Sequence, residues 1–270
     1  MDSRCDICGG TETRPTAHVN VYKLGVDLIE CVGCGVRRYT GREKLGDRGT
    51  EVFYTTDAYD EYIRKHAVTG TPFPNPTLKP EEYHRASEGV YRGMLQALAV
   101  YAKRPVRRVW EIGCAWGQAL AVAREMGLEA AGCDLSSAGV DRACAVGLDA
   151  VRAPFQLAGV PWPVDGILCN DVLEHTSTPG ADLRRAFAIT EPGGAIVLKT
   201  FYDEFHETLD LDLSRGQYDF KRTGYFDPLS HLYHFTTDAL TSAMGRAGWQ
   251  IASVQPDPSW GQVTVYAVKP

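Results

Sequence analysis

From residue 106 to the carboxyl terminus, short apolar runs alternate with segments of helical period, and this alternation confines the chain to an α/β fold. The strand-like runs are residues 106–112, 130–134, 165–170, 195–200, 249–254 and 262–268. Helical patterns lie between them. Residues 118–126 end at Gly127, residues 137–146 follow the N-cap candidate Ser136 and end at Gly147, and residues 237–247 follow Thr236 and end at Gly248. Such an order implies βαβ units and a mainly parallel sheet. Only the short segment 255–261, with Pro256 and Pro258, separates the last two runs. It leaves no room for a crossover helix, so those two strands are expected to pair antiparallel.

Upstream of residue 106 the chain changes character. Tyr83, Ala86, Val90, Met94 and Leu98 recur at close to helical period over residues 81–102, and Pro105 stops the pattern. Residues 72–80, PFPNPTLKP, form a proline-rich connector that cannot continue a helix. Residues 51–65 set Phe53, Tyr54, Tyr59 and Tyr62 among charges. With 270 residues, 44% of them hydrophobic, the chain can bury a full core as one large domain with a small appendage. The expected division is 1–50, 51–104 and 105–270. No uncharged apolar stretch approaches the roughly 20 residues a membrane span needs. The amino-terminal MDSRCDICGG places charges where a signal peptide would be apolar, so a cytoplasmic location is expected.

The first fifty residues hold Cys5-x-x-Cys8-Gly9 and Cys31-x-x-Cys34-Gly35, two CxxC turns separated by 22 residues. Each turn brings two thiolates to one point, and the glycine after it permits the positive φ that aims backbone N–H groups at sulfur. Four thiolates complete a tetrahedron with no open position, so a structural zinc ribbon is expected, with disulfides or redox dithiols as the alternatives. Cys114, Cys133, Cys144 and Cys169 are scattered among apolar segments and read as small core residues. Charge bears on what such a ribbon does. Residues 1–50 carry eight Lys and Arg against seven Asp and Glu, only the pair Arg37 and Arg38 is locally basic, and the whole chain stands at −6. That balance disfavours nucleic acid as a partner and favours a small molecule.

The chemistry begins where the first strand ends, in Glu111-Ile112-Gly113-Cys114-Ala115-Trp116-Gly117. A glycine turn at this place lets a ligand approach the backbone, and the helix that follows offers free N–H groups. A dinucleotide-binding dehydrogenase would want GxGxxG, whereas this loop reads GxAxG with Gln118 in the last glycine's place. Glu111, just before the loop, would also repel a pyrophosphate. Asp134 closes the second strand 23 residues later, where a carboxylate can accept both hydroxyls of a ribose. Asn170-Asp171-Val172-Leu173-Glu174-His175 follows the third run, and Glu191-Pro192-Gly193-Gly194 leads into the fourth.

With these four signals in order, the chain resembles the class I S-adenosylmethionine-dependent methyltransferases over about residues 81–270. The resemblance implies a Rossmann-like, doubly wound sheet of seven mostly parallel strands with the last one reversed. It also implies that Glu111, Gly113 and Gly117, in the loop that includes Cys114, Ala115 and Trp116, surround the methionine part of the cofactor. Asp134, with Leu135 beside it, would bind the ribose, and Asn170, Asp171 and Val172 would lie near the sulfonium. Ala115 replaces the usual middle glycine, and Trp116 stands where a small polar residue is common. The ribbon, the aromatic 51–65 segment and this domain together are similar to the first two parts of the sugar-nucleotide C-methyltransferases of antibiotic biosynthesis. Those enzymes have a third domain for which this chain is too short. The wider branch also methylates oxygen and nitrogen in natural products and glycans.

Residues 201–235 hold nine of the chain's 27 aromatics in 35 positions, a segment suited to a substrate lid or to a local minicore under a long loop. Methyl transfer to a hydroxyl or an acidic carbon requires a base, and histidine titrates in the useful range. His231 and His234, in His-Leu-Tyr-His-Phe within this aromatic segment, are the first candidates, and His175 is the next. Tyr202, Tyr59 and Tyr62 are candidates to line the substrate. The expected function is therefore methyl transfer from S-adenosylmethionine to a small polar acceptor, with oxygen or carbon as the favoured nucleophile. The alternatives are a zinc-ribbon RNA methyltransferase and a non-catalytic cofactor-binding or scaffold protein.

Overall fold

The computed structural model describes residues 4–21, 24–41, 80–202, 209–212, 231–258 and 261–270. Their strands are β1 (Thr13–Val21), β2 (Leu24–Cys31), β3 (Arg37–Thr40), β4 (Arg108–Ile112), β5 (Glu129–Asp134), β6 (Asp149–Arg152), β7 (Val164–Asn170), β8 (Thr190–Phe201), β9 (Leu209–Asp212), β10 (Tyr233–His234), β11 (Gln250–Asp257) and β12 (Gln262–Val268). Their helices are α1 (Pro80–Tyr101), α2 (Gln118–Glu125), α3 (Ser137–Ala145), α4 (Pro179–Ile189) and α5 (Thr237–Arg246). No described helix is long and apolar enough to cross a membrane.

A seven-stranded sheet has the order β11-β12-β8-β7-β4-β5-β6. β4 pairs in parallel with both β5 and β7, and β5 pairs in parallel with β6. The start of β8 meets the end of β12, with Gly193 N–H donating to Lys269 C=O at 2.8 Å and Lys269 N–H to Gly194 C=O at 2.9 Å. The end of β8 meets the start of β12 through Tyr202 N–H and Gly261 C=O at 3.1 Å. This makes β12 the reversed strand. Six of the seven strands coincide with the apolar runs of the sequence. The seventh, β6, is an edge strand whose residues are mostly exposed, so it carries no hydrophobic period to read.

Burial follows the pattern of a sheet covered on both faces. Val109, Trp110 and Ile112 of β4 and Ile167, Leu168 and Cys169 of β7 are all buried. Ser136 and Thr236 cap α3 and α5 through their hydroxyls, which accept from Gly139 and Ala239 N–H at 3.0 and 3.1 Å. The Pro192-Gly193-Gly194 turn lies inside β8 rather than ahead of it, because β8 begins at Thr190. Gly193, at φ +78°, accommodates this local bend while its C=O accepts from Lys103 N–H at 2.7 Å.

Backbone proximity groups the chain into two compact units, one of Met1–Thr50, Asn170–Ala188 and Leu198–Ala267, the other of Glu51–Cys169, Ile189–Val197 and Val268–Pro270. In the first, a five-stranded sheet has the order β10-β3-β2-β1-β9. β1, β2 and β3 form an antiparallel meander, β10 adds antiparallel to β3, and β9 adds parallel to β1. Ala17, Val19, Val26 and Leu28 alternate inward and are buried. The described strands of the 201–235 segment thus extend the sheet built by the amino-terminal residues. Asp6, between the two cysteines of the first turn, reaches α4 in this unit. Its Oδ2 accepts from Gly180 N–H at 2.5 Å and Ala181 N–H at 3.3 Å, satisfying two of the free N–H groups in the first turn of α4. A Cβ at Gly180 would lie 2.5 Å from Asp6 C=O, so the contact requires glycine.

Candidate functional site

The loop after β4 is shaped by three residues in the left-handed region, Gly113 at φ +74°, Ala115 at +44° and Gly117 at +80°. Gly113 and Cys114 N–H both donate to Cys133 C=O, at 2.8 and 3.0 Å. Ala115 N–H donates to Asp134 Oδ2 at 2.8 Å, and Ser136 N–H to Asp134 Oδ1 at the same distance. Asp134 therefore ties the loop to the end of β5 while keeping a second lone pair on each oxygen. Two neighbouring glycines permit this close approach. A Cβ at Gly132 would stand 2.9 Å from Glu111 C=O, and one at Gly139 would stand 2.9 Å from Ala115 C=O. Ala115 thus adopts the conformation that the usual middle glycine would take, at a steric cost an alanine can bear. Trp116 is half-buried with the Arg142 guanidinium 4.4 Å above its ring. Leu135, between Asp134 and Ser136, is also half-buried.

Two carboxyls dominate the electrostatics here. Burial, reinforced by the charge of Asp134, holds Glu111 well above the usual carboxylate range. Its Oε2 is buried and accepts no hydrogen bond from the described residues. Burial also raises Asp134, against the opposing effect of the backbone N–H groups that donate to it. A buried acceptor without a donor, beside a carboxylate with spare lone pairs, fits the ammonium and the ribose hydroxyls of S-adenosylmethionine.

In the other unit a second set of residues converges. Asp171 stands at φ +52°, accepts from Asn170 Nδ2 at 3.1 Å and Gln262 Nε2 at 2.9 Å, and is pushed up to about 7 by burial and by the charge of Glu174. Val172 leads into a short helical turn, Leu173–His175. Glu174 is 1% exposed, and its Oε2 accepts from Thr200 Oγ1 at 2.6 Å. Leu232 N–H donates to Glu174 C=O at 2.7 Å, which brings the histidine segment alongside. The His231 ring lies 4.9 Å from His175, 5.2 Å from Phe201 and 6.3 Å from His234, centroid to centroid. His234 packs edge-on to Tyr39 at 5.3 Å, and burial holds it well below the usual histidine range. His175 and His231 are thus brought together at Glu174, with His234 on the far side of His231 against Tyr39. Tyr202 is held by its bridge to Phe235 in the same unit, and Tyr59 and Tyr62 lie outside the described residues.

Glu174 was not singled out in the sequence as a site residue. Its signal was a charged residue in Val-Leu-Glu-His, a segment otherwise bound for the interior.

The four amino-terminal cysteines form no disulfide, and their Sγ atoms lie within 4.8 Å of one another. Cys5 and Cys34 are 3.5 Å apart and Cys8 and Cys31 3.4 Å, close to the spacing of about 3.8 Å that tetrahedral Zn–S bonds of about 2.3 Å require. Gly10 N–H donates to Cys8 Sγ at 3.4 Å, and the Cys34 thiol, by donating to Cys5, lowers Cys5 to about 5, while that same bond pushes Cys34 up and burial pushes Cys31 up. This donor set fits zinc.

Residues 83–254 match the family described as Methyltransferase domain. The chain belongs to that family. No curated protein matches the sequence. Among solved structures, the 1,6-didemethyltoxoflavin-N1-methyltransferase of Burkholderia thailandensis, with S-adenosylhomocysteine bound, is 17% identical at a TM-score of 0.54, covering 95% of this chain and 99% of its own. The magnesium protoporphyrin IX methyltransferase of Synechocystis PCC 6803, with S-adenosylmethionine bound, is 15% identical at 0.53, covering 81% and 94%. The [4+2]-cyclase SpnF is 15% identical at 0.57, covering 82% and 97%. Likeness at these identities concerns the fold. Family membership and fold together make this methyltransferase one of the S-adenosylmethionine-dependent class with the expected reversed-strand sheet.

Proposed function

We propose that the chain transfers a methyl group from S-adenosylmethionine to a small polar acceptor of natural-product, sugar or glycan type, at oxygen or carbon. The observation that carries this reading is the convergence of His175 and His231 on the buried carboxylate of Glu174, close to the Asp171 turn. The cofactor would supply an electrophilic methyl on sulfur. In this reading Glu111 receives its ammonium and Asp134 its ribose hydroxyls, with Gly113, Cys114, Ala115, Trp116, Gly117 and Leu135 forming the wall and Asn170, Asp171 and Val172 nearest the sulfonium. His231 removes the acceptor's proton, Glu174 stabilises the charge that His231 then carries, and His175 and His234 complete the basic centre. Tyr202, and Tyr59 and Tyr62 from the aromatic lead-in, line the acceptor under the 201–235 segment. The four cysteines hold a structural zinc.

A small acceptor is favoured over RNA by one further observation. Arg37, half of the single basic pair in the first fifty residues, is 3% exposed and bonded to Glu30 through Nε at 3.0 Å. Glu30 also takes Arg14 at 2.6 Å. Arg37 is therefore neutralised, which leaves Arg38 alone of that pair, and a phosphate backbone needs clustered exposed cations. Release of S-adenosylhomocysteine, assayed against a panel of hydroxylated small molecules, tests the reading. Turnover should fall at least a hundredfold in His231→Ala with cofactor affinity unchanged. Wild-type rates in both His231→Ala and His234→Ala would overturn the assignment of the base.

A further inference from the structure

We infer that Glu174, His175 and His231 form a second metal site, one that takes a divalent transition cation of the zinc class and is separate from the four cysteines. One donor atom from each residue lies within 4.8 Å of the others. Two imidazole nitrogens and one carboxylate oxygen are the donors of many open zinc and iron sites, in which the remaining positions are left to water or substrate. Ligand bonds of about 2.1 Å in a tetrahedron place donors about 3.4 Å apart. The Glu174 to His175 pair already stands at 3.9 Å, so a small adjustment of the ring closes the set.

Glu174 supplies the independent observation. Its Oε2 is satisfied by Thr200, but Oε1 is buried and accepts no hydrogen bond from the described residues. Oε1 is also the oxygen that lies 3.9 Å from His175 Nε2. A buried carboxylate oxygen left in this way is costly unless a cation meets it. Asp171 is a second buried carboxylate close enough to interact with Glu174, and Lys199 lies near enough to Asp171 to offset part of its charge. The two residues that would hold the cation in place are fixed independently. Thr200 orients the Glu174 carboxylate, and the bond from Leu232 N–H to Glu174 C=O fixes the approach of the segment that bears His231.

The inference rests on the reading of this cluster as the centre that activates the acceptor and deepens it. A cation here would bind a hydroxyl or carbonyl oxygen of the acceptor at its open position and lower its proton affinity enough for the proton to pass to solvent water, and His231 would then act in the reaction by holding the cation rather than by taking the proton itself. The acceptor class then narrows to molecules that present an oxygen ligand.

The test is zinc stoichiometry of the full chain after equilibrium dialysis against buffered zinc, measured by plasma emission, with S-adenosylmethionine titrated calorimetrically into the same samples. Two zinc ions per wild-type chain, falling to one in Glu174→Gln and in His175→Ala, is the expected result. Glu174→Gln keeps an acceptor for Thr200, and His175 is partly exposed, so at least one variant retains the fold by circular dichroism. One zinc in the wild type, or two in both variants, would overturn the second site. If the wild type binds S-adenosylmethionine while holding one zinc, the metal inference fails alone. If it binds two zinc ions and no S-adenosylmethionine, the methyltransferase reading fails alone.

Discussion

Ala115 shows how one residue can depart from a family pattern without departing from its geometry. At φ +44° it takes a conformation that costs an L-residue about 1–2 kcal/mol and glycine nothing. Ala115→Gly should therefore raise stability by about 0.5 kcal/mol, once the greater freedom of the unfolded glycine is offset, while Ala115→Val should lower it by more than about 2 kcal/mol. Urea denaturation of the two variants distinguishes this from a site with ordinary backbone, where valine would be tolerated. The buried carboxyls give the loop a pH dependence of two opposite signs. Glu111 and Asp134 are both raised in the folded state. The stability they contribute is fully present below their unfolded values, near 4, and is lost as pH rises through the folded ones. Cofactor affinity runs the other way, because ribose hydroxyls and an ammonium bind the ionised forms. Affinity for S-adenosylmethionine should weaken as pH falls through the raised values of these carboxyls, and Glu111→Gln should flatten the profile. An affinity independent of pH would contradict the placement of both groups. The cofactor loop was legible as a motif, but its attachment to Asp134 was not, since a side chain bonded to backbone N–H groups 19 residues away leaves no pattern in the sequence.

At the scale of elements, the parallel strands were legible because strands buried on both faces read as continuous apolar runs. The amino-terminal meander is less legible, because Ala17, Val19, Val26 and Leu28 keep a period of two within strands whose other positions are largely polar or charged. β9 and β10 were hidden for a different reason. Their partners are β1 and β3, far away in sequence, and pairing over such distances is not encoded locally. The helix α4 has a local start in Thr178 and Pro179, but the tie from Asp6 to its first turn comes from the ribbon and leaves no local pattern. Asp6→Ala should lower stability by about 1 kcal/mol in the zinc-loaded protein, and Asp6→Asn by less, since asparagine retains an acceptor. Equal losses in both variants would show that the charge paired with Arg184 at 3.7 Å, rather than the tie to α4, carries the contribution. Cys31→Ser should release the ribbon's zinc and lower the melting temperature, as a ribbon without its metal loses the tie between its two CxxC turns.

For the whole molecule, charge favours the proposed small acceptor. A net charge of −6 and the burial of Arg37 against Glu30 leave little for a phosphate backbone to bind. Affinity for single-stranded RNA should accordingly be weak at low salt and show no steep salt dependence; a slope corresponding to several released counterions would favour the RNA reading. Asp134 joins most of what has been described, as it closes β5, pins the loop after β4 and is the residue proposed to bind the ribose. Calorimetric titration of S-adenosylmethionine into the wild type and into Asp134→Ala therefore bears most directly on the central claim. Saturable binding at one site per chain, abolished in Asp134→Ala with the circular dichroism spectrum preserved, is the predicted result. No binding by the wild type, or the same affinity in Asp134→Ala, would contradict it.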